Sequence, residues 1–139
     1  MNAGFRILEH PSDLGIEARG SSLPETFAAA ATGLMSVILD LSTVIPTAEK
    51  EIMVKAGDIE QLLVKWLSEI LYLYDGGNFV CKEFEIQSLQ PNLLCAVVRG
   101  TEFSNVKHRT KLDIKAITYH QLVVEEKNDG CLVRVFVDV

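Results

Sequence analysis

Cysteine is scarce in this chain, and the three present, Cys81, Cys95 and Cys131, include no CxxC pair. An odd number without that spacing excludes a disulfide framework and a zinc knuckle, and fits free, mostly buried thiols in a reducing compartment. Long apolar runs are lacking too. The stretch 62–74 is broken by Lys65 and Glu69 well short of the roughly 18 residues that mark a membrane span, so no membrane association is expected. The first nine residues lack the charged start, apolar stretch and cleavage site of a signal peptide, so a cytoplasmic location is expected. Nor is there a GxxxxGK[ST] phosphate loop, a GxGxxG turn or a GxSxG elbow, which argues against a self-sufficient kinase, ligase or hydrolase. Positive charge is in deficit: 13 Lys and Arg against 19 Asp and Glu give a net charge of -6. Binding a phosphate backbone usually needs a basic surface, so any connection to nucleic acid is expected to be indirect.

What is present is an ordinary globular composition, 48% hydrophobic and 23% charged over 139 residues, enough for one domain, 1–139, around one core. Short strands are expected at 5–8 and 16–19, parted by the turn residues Pro11, Ser12, Asp13 and Gly15. Ser22 with Glu25 makes a capping box, and Phe27, Ala30, Ala31, Leu34, Val37 and Ile38 follow at helical spacing, predicting a helix over 23–39. After a polar connection at 41–50 and a strand at 51–55, Asp58 caps a second helix with the stripe Ile59, Leu62, Leu63, Trp66, Leu67, Ile70 and Leu71. From Phe79 the period changes to two, with extended segments at 79–89, 93–99, 114–126 and 131–137. The order predicts an α+β, two-layer sandwich: two helices packed on one face of a mainly antiparallel or mixed β-sheet.

Polar residues able to carry chemistry collect at turns and strand ends. Taken singly, Asp13 reads as an Asx turn and Asp138 as a solvated strand terminus. If the first and last strands are neighbours, however, Asp13, Asp138 and the α-carboxylate of Val139 converge, and three anions at close range call for a cation. Such hard oxygen donors suit a divalent metal ion, calcium, magnesium or manganese, better than zinc or copper. His10 and His120 are further candidates, each readable as a hydrogen-bonded structural histidine. Lys107, His108, Arg109, Lys111 and Lys115 form the basic cluster of an acidic chain, either a solvated loop or a docking patch for an acidic or phosphate-bearing partner.

These residues resemble a known family. Glu9-His10-Pro11-Ser12-Asp13-Leu14-Gly15-Ile16 is similar to the opening motif of archeases. Leu23, Glu25, Phe27, Ala30 and Leu34 resemble their first helix, and Asp58, Leu62, Leu63, Trp66, Leu67, Glu69 and Leu71 their second. Lys115-Ala116-Ile117-Thr118-Tyr119-His120 resembles their most specific string, and Val135-Phe136-Val137-Asp138-Val139 their ending. Pro11-Ser12 stands where Thr-Ala is usual, and Lys111-Leu112 where Gly-Thr is common. The resemblance implies an activator, not itself an enzyme, of the guanylate-dependent RNA-splicing ligase that seals tRNA exon halves, promoting its guanylylation and turnover and meeting RNA through the ligase. It also implies a metal site at Asp13, Asp138 and Val139. Partner docking is expected at Lys107, Arg109 and Lys115. The alternatives are a chaperone-like partner of RNA-modifying enzymes such as a tRNA methyltransferase and, more weakly, an independent metal-dependent hydrolase.

Overall fold

The computed structural model describes residues 3–9 and 13–139. Its elements run β1 (Gly4–Glu9), β2 (Leu14–Gly20), α1 (Leu23–Ile38), β3 (Ala48–Lys55), α2 (Ile59–Asp75), β4 (Phe79–Gln90), β5 (Leu93–Glu102), β6 (Ala116–Ile117), β7 (Val123–Lys127) and β8 (Gly130–Asp138), with a 3-10 turn, Leu41–Thr43, in the connection after α1. The fold is an α+β sandwich, and its strands divide between two antiparallel sheets. One has five strands, β1-β2-β8 with β6 and β7 both along the far edge of β8; the other is β3-β5-β4. Each helix touches strands of both sheets.

Local chemistry starts both helices. Ser22 caps α1 by accepting the Glu25 amide on its hydroxyl at 3.3 Å, and Pro24 sits in the first turn, where a missing N–H costs nothing. The Glu25 carboxylate reaches back to the start of the helix and accepts the Ser21 amide at 2.8 Å. Asp58 caps α2 the same way, taking the Gln61 amide at 2.8 Å. The predicted stripes are buried, Phe27, Ala30, Ala31 and Leu34 on α1 against Leu62, Leu63, Trp66 and Leu67 on α2. The Trp66 indole donates to the Phe27 carbonyl at 3.0 Å, so the largest buried side chain leaves no orphan N–H and ties the helices together.

Period-two alternation gives the five-stranded sheet two unlike faces. Ile16 and Ala18 of β2, with Val133, Val135 and Val137 of β8, enter the core. Gly15, Glu17 and Arg19, with Arg134, Phe136 and Asp138, fall on the outer face. Helix α1 runs back along the inner face: a side chain on Gly20 would strike Thr26, and one on Gly33 would lie 2.9 Å from Ile16. Its C-terminal end therefore returns to the end of the sheet where β2 begins.

The segment 114–126 departs from expectation, because it is two short strands and not one. The Thr118 hydroxyl donates to the Phe136 carbonyl at 2.8 Å and accepts the His120 amide at 3.2 Å, and Gln121 takes φ 49. Thr118 still donates its amide to the Phe136 carbonyl at 3.0 Å, but beyond it the local turn outcompetes the ladder and lifts 119–122 out of it.

Candidate functional site

The antiparallel pairing of β2 with β8 decides whether the candidate carboxylates meet. Its last registered pair is Leu14 with Val137, so the next residues outward are Asp13 and Asp138. Directly opposed residues of an antiparallel pair point to the same face, their Cβ atoms about 5 Å apart. On its other side Asp138 pairs with Ala116, and its carbonyl takes the Lys115 amide at 2.7 Å. Val139 follows immediately, so Val139 and Lys115 belong to the same end of the sheet.

Exposure grades across this group. Asp13 is half-buried with its Oδ1 closed off from solvent, whereas Asp138, Val139 and Lys115 are exposed. The side chains of Asp13 and Asp138 offer only oxygen donors, whose chemistry fits a hard divalent cation. Among the described residues no three His, Cys, Asp or Glu side chains gather as a metal cage. His10, Pro11 and Ser12 lie outside the described residues.

Phe136 builds the outer-face floor beside these carboxylates. Its ring packs over Gly15, its cross-strand partner, where a Cβ would come within 2.8 Å of the ring. The His120 ring meets Phe136 edge-on with centroids 6.0 Å apart. The Thr118 hydrogen bonds thus have a positional result: they set His120 against the ring two residues before Asp138 and leave Tyr119 55% exposed. Neither Gly15 nor Phe136 was singled out for this role, and only the alternation of β8 in the sequence hints at it.

The basic segment is pinned along its length. His108 is buried, its Nδ1 accepting the Ser104 amide at 2.9 Å and its ring packed on Phe103, so it is a structural residue. Asp40 donates its amide to the Arg109 carbonyl at 2.8 Å, and Lys111 donates its amide to the Ile38 carbonyl at 2.8 Å. Lys111 also reaches the Ser36 carbonyl with Nζ at 3.3 Å. These bonds dock the segment on the C-terminal end of α1, which is favourable for cations. The three expected docking residues have separate anchors: Lys107 lines a cavity of about 430 Å³ with Thr43, Thr47 and His108, Arg109 sits at the 3-10 turn, and Lys115 adjoins Asp138.

Residues 5–139 match the model of the Archease protein family (MTH1598/TM1083). Protein archease of Methanosarcina acetivorans is 34% identical, the match covering 97% of this chain and 95% of that protein. Protein archease of Saccharolobus islandicus is 38% identical, covering 97% and 98%. Among solved structures, protein 1598 of Methanobacterium thermoautotrophicum superposes with a TM-score of 0.82 at 27% identity, covering 98% of this chain and 99% of that one. A Thermotoga maritima protein described as an archease, possible chaperone, superposes with a TM-score of 0.60 at 21% identity, covering 96% of both, and shares the fold.

Proposed function

Because this chain belongs to the archease family, we propose that it is a metal-binding activator of a guanylate-dependent RNA-splicing ligase, promoting the ligase's guanylylation and multiple turnover without catalysing the ligation. The observation that supports this reading is the pairing of Leu14 with Val137, after which Asp13 and Asp138 are the next residues outward, at the strand end that leads into Val139. A divalent cation held there would supply a compact positive centre able to order phosphate oxygens. Asp13, Asp138 and the Val139 carboxylate would hold it, and Phe136, wedged against Gly15, would keep the two strands from shifting. Lys107, Arg109 and Lys115 would dock the acidic or phosphate-bearing partner, since their segment is fixed by backbone hydrogen bonds that leave the side chains available. RNA is then met through the ligase.

The test is a guanylylation and RNA-sealing assay with the ligase of the same organism. Substoichiometric amounts of this protein should speed both steps, and the protein alone should release no product. Asp13→Ala and Asp138→Ala should each abolish stimulation and divalent-ion binding while leaving the circular dichroism unchanged. Residues added after Val139 should weaken both, because an amide replaces the carboxylate. Parent protein that leaves guanylylation unchanged, yet limits aggregation of a tRNA methyltransferase, would favour the second reading, a chaperone-like partner. That reading draws its support from the description of the Thermotoga maritima protein.

A further inference from the structure

Glu17 is 1% exposed on the outer face of β2, where a lone carboxylate would be costly. Three guanidiniums from three strands hold it. Arg6 of β1 donates Nε to Oε1 at 2.7 Å, and Arg134 of β8 grips Oε2 with Nε at 3.1 Å and Nη2 at 2.7 Å. Arg19, two residues along β2, places Nη2 at 3.5 Å from Oε1. Register explains the gathering, since Arg6 and Arg134 are the direct cross-strand partners of Glu17. Burial pushes the Glu17 carboxyl upward, but the hydrogen bonds and charges of Arg6 and Arg134 outweigh it and hold the group below its ordinary value.

One carboxylate neutralises one guanidinium, so the cluster keeps a surplus of two positive charges on a chain whose net charge is -6. Arg6 and Arg19 are 66% and 50% exposed. Arg6 spends only its Nε on Glu17, and Arg19 only one contact at the limit of a hydrogen bond, which leaves most of their donors facing outward. Between them opens a cavity of about 230 Å³ lined by Gly4, Phe5, Arg6, Glu17 and Arg19. Gly4 makes the room: it lies across from Arg19, two residues before Arg6, and a Cβ there would meet nothing within 4 Å.

We propose that this hollow is a phosphate site, taking a phosphate dianion either free or as the terminal monoester of a nucleotide, with Arg6 and Arg19 as the binding groups and Glu17 and Arg134 as their support. Charge selects the ligand. A phosphate monoester carries close to two negative charges near neutrality and matches the surplus, whereas a carboxylate or phosphodiester leaves one cation unpaired. Geometry agrees, because guanidinium forks match phosphate oxygens and Glu17 has already ordered Arg6, one of the two side chains that must close on them. The hollow lies about 13 Å along β2 from Asp13, on the same sheet face, by the rise of an extended strand.

Calorimetric titration of the full chain, with chelator present to silence the carboxylate end, tests this independently of any ligase or metal. The probes are inorganic phosphate, adenosine monophosphate, a phosphoserine peptide and dimethyl phosphate. Inorganic phosphate should bind, and dimethyl phosphate should bind about tenfold more weakly or less, as the loss of a charge-assisted contact predicts. Adenosine monophosphate binding as tightly as inorganic phosphate assigns the nucleotide source; inorganic phosphate alone assigns the free ion. Arg6→Gln and Arg19→Gln should each weaken binding about tenfold with no change in circular dichroism, since both tips are exposed. Gly4→Val, which fills the hollow and leaves every charge in place, should do the same. Equal binding by the parent and the Arg6→Gln/Arg19→Gln double variant overturns the site, as does equal binding of dimethyl phosphate. Tighter binding of a phosphoserine peptide than of adenosine monophosphate overturns the nucleotide assignment.

Discussion

The outer faces of the two sheets carry the same cross-strand device with opposite signs. On the five-stranded sheet one carboxylate, Glu17, sits among three guanidiniums. On the three-stranded sheet one guanidinium, Arg99, bridges two carboxylates, with Nε 3.1 Å from Glu49 on β3 and Nη2 2.9 Å from Glu85 on β4. Depth separates them. Glu17 is 1% exposed, whereas Arg99 is 38% exposed and its partners 63% and 51%. Water screens the second cluster and is excluded from the centre of the first, so equal drawings of ion pairs stand for unequal energies.

Replacing the centre of each cluster should expose that inequality. Glu17→Gln keeps the shape but leaves three guanidiniums around a neutral amide, and should lower the unfolding free energy at pH 7 by about 2–3 kcal/mol in urea. A loss no larger than that of Arg99→Gln would erase the distinction. The acid limb carries the same signature. The folded carboxyl of Glu17 is held below its ordinary 4.5, so its contribution is complete above that pH and drains away as the pH falls through the folded value. Stability curves of the parent and Glu17→Gln should therefore converge on acidification, and parallel curves would refute the sign.

A smaller effect is expected from Gly15→Ala, which drives a Cβ to 2.8 Å from the Phe136 ring. Overpacking of this kind costs about 1–2 kcal/mol where a ring can tilt away, and the His120 ring resonances should move with it. The smallest effect belongs to Arg99→Gln, whose thermal midpoint should match the parent's within error. Combined with Glu17→Gln it should simply add, the two clusters sharing no partner.

Much of the architecture is legible because it is local. Ser22 and Asp58 announce the helices that follow them, and the stripes at Phe27 to Leu34 and at Leu62 to Leu71 are the faces that become buried. Legibility fails where one residue's environment is supplied by distant strands. Glu17 looks like an ordinary solvent-facing residue in an alternating strand, and only the side chains arriving from β1 and β8 bury it. The split at 119–122 hides for a different reason, since the β-rich composition there outweighs one threonine hydroxyl in any pattern of periodicity. Nothing in the pattern divides the strands between two sheets. Asp13 and Asp138 stand between these cases. Their residue types suggest a cation, but their opposition depends on a pairing that the sequence poses only as a condition.

That pairing also sets a timetable. β2 folds against β8, and Leu14 finds Val137 only after nearly the whole chain exists. Closing so long a loop is entropically expensive and slows folding relative to helix formation, whose contacts are local. During synthesis α1 and α2 can form early, while β2 has β1 on one side and a vacant edge on the other. Exposed strand edges are where chains associate wrongly, so the interval before β8 arrives is the hazardous one. When β8 docks it closes that edge, completes the Glu17 cluster and brings the carboxylate end together in one late step.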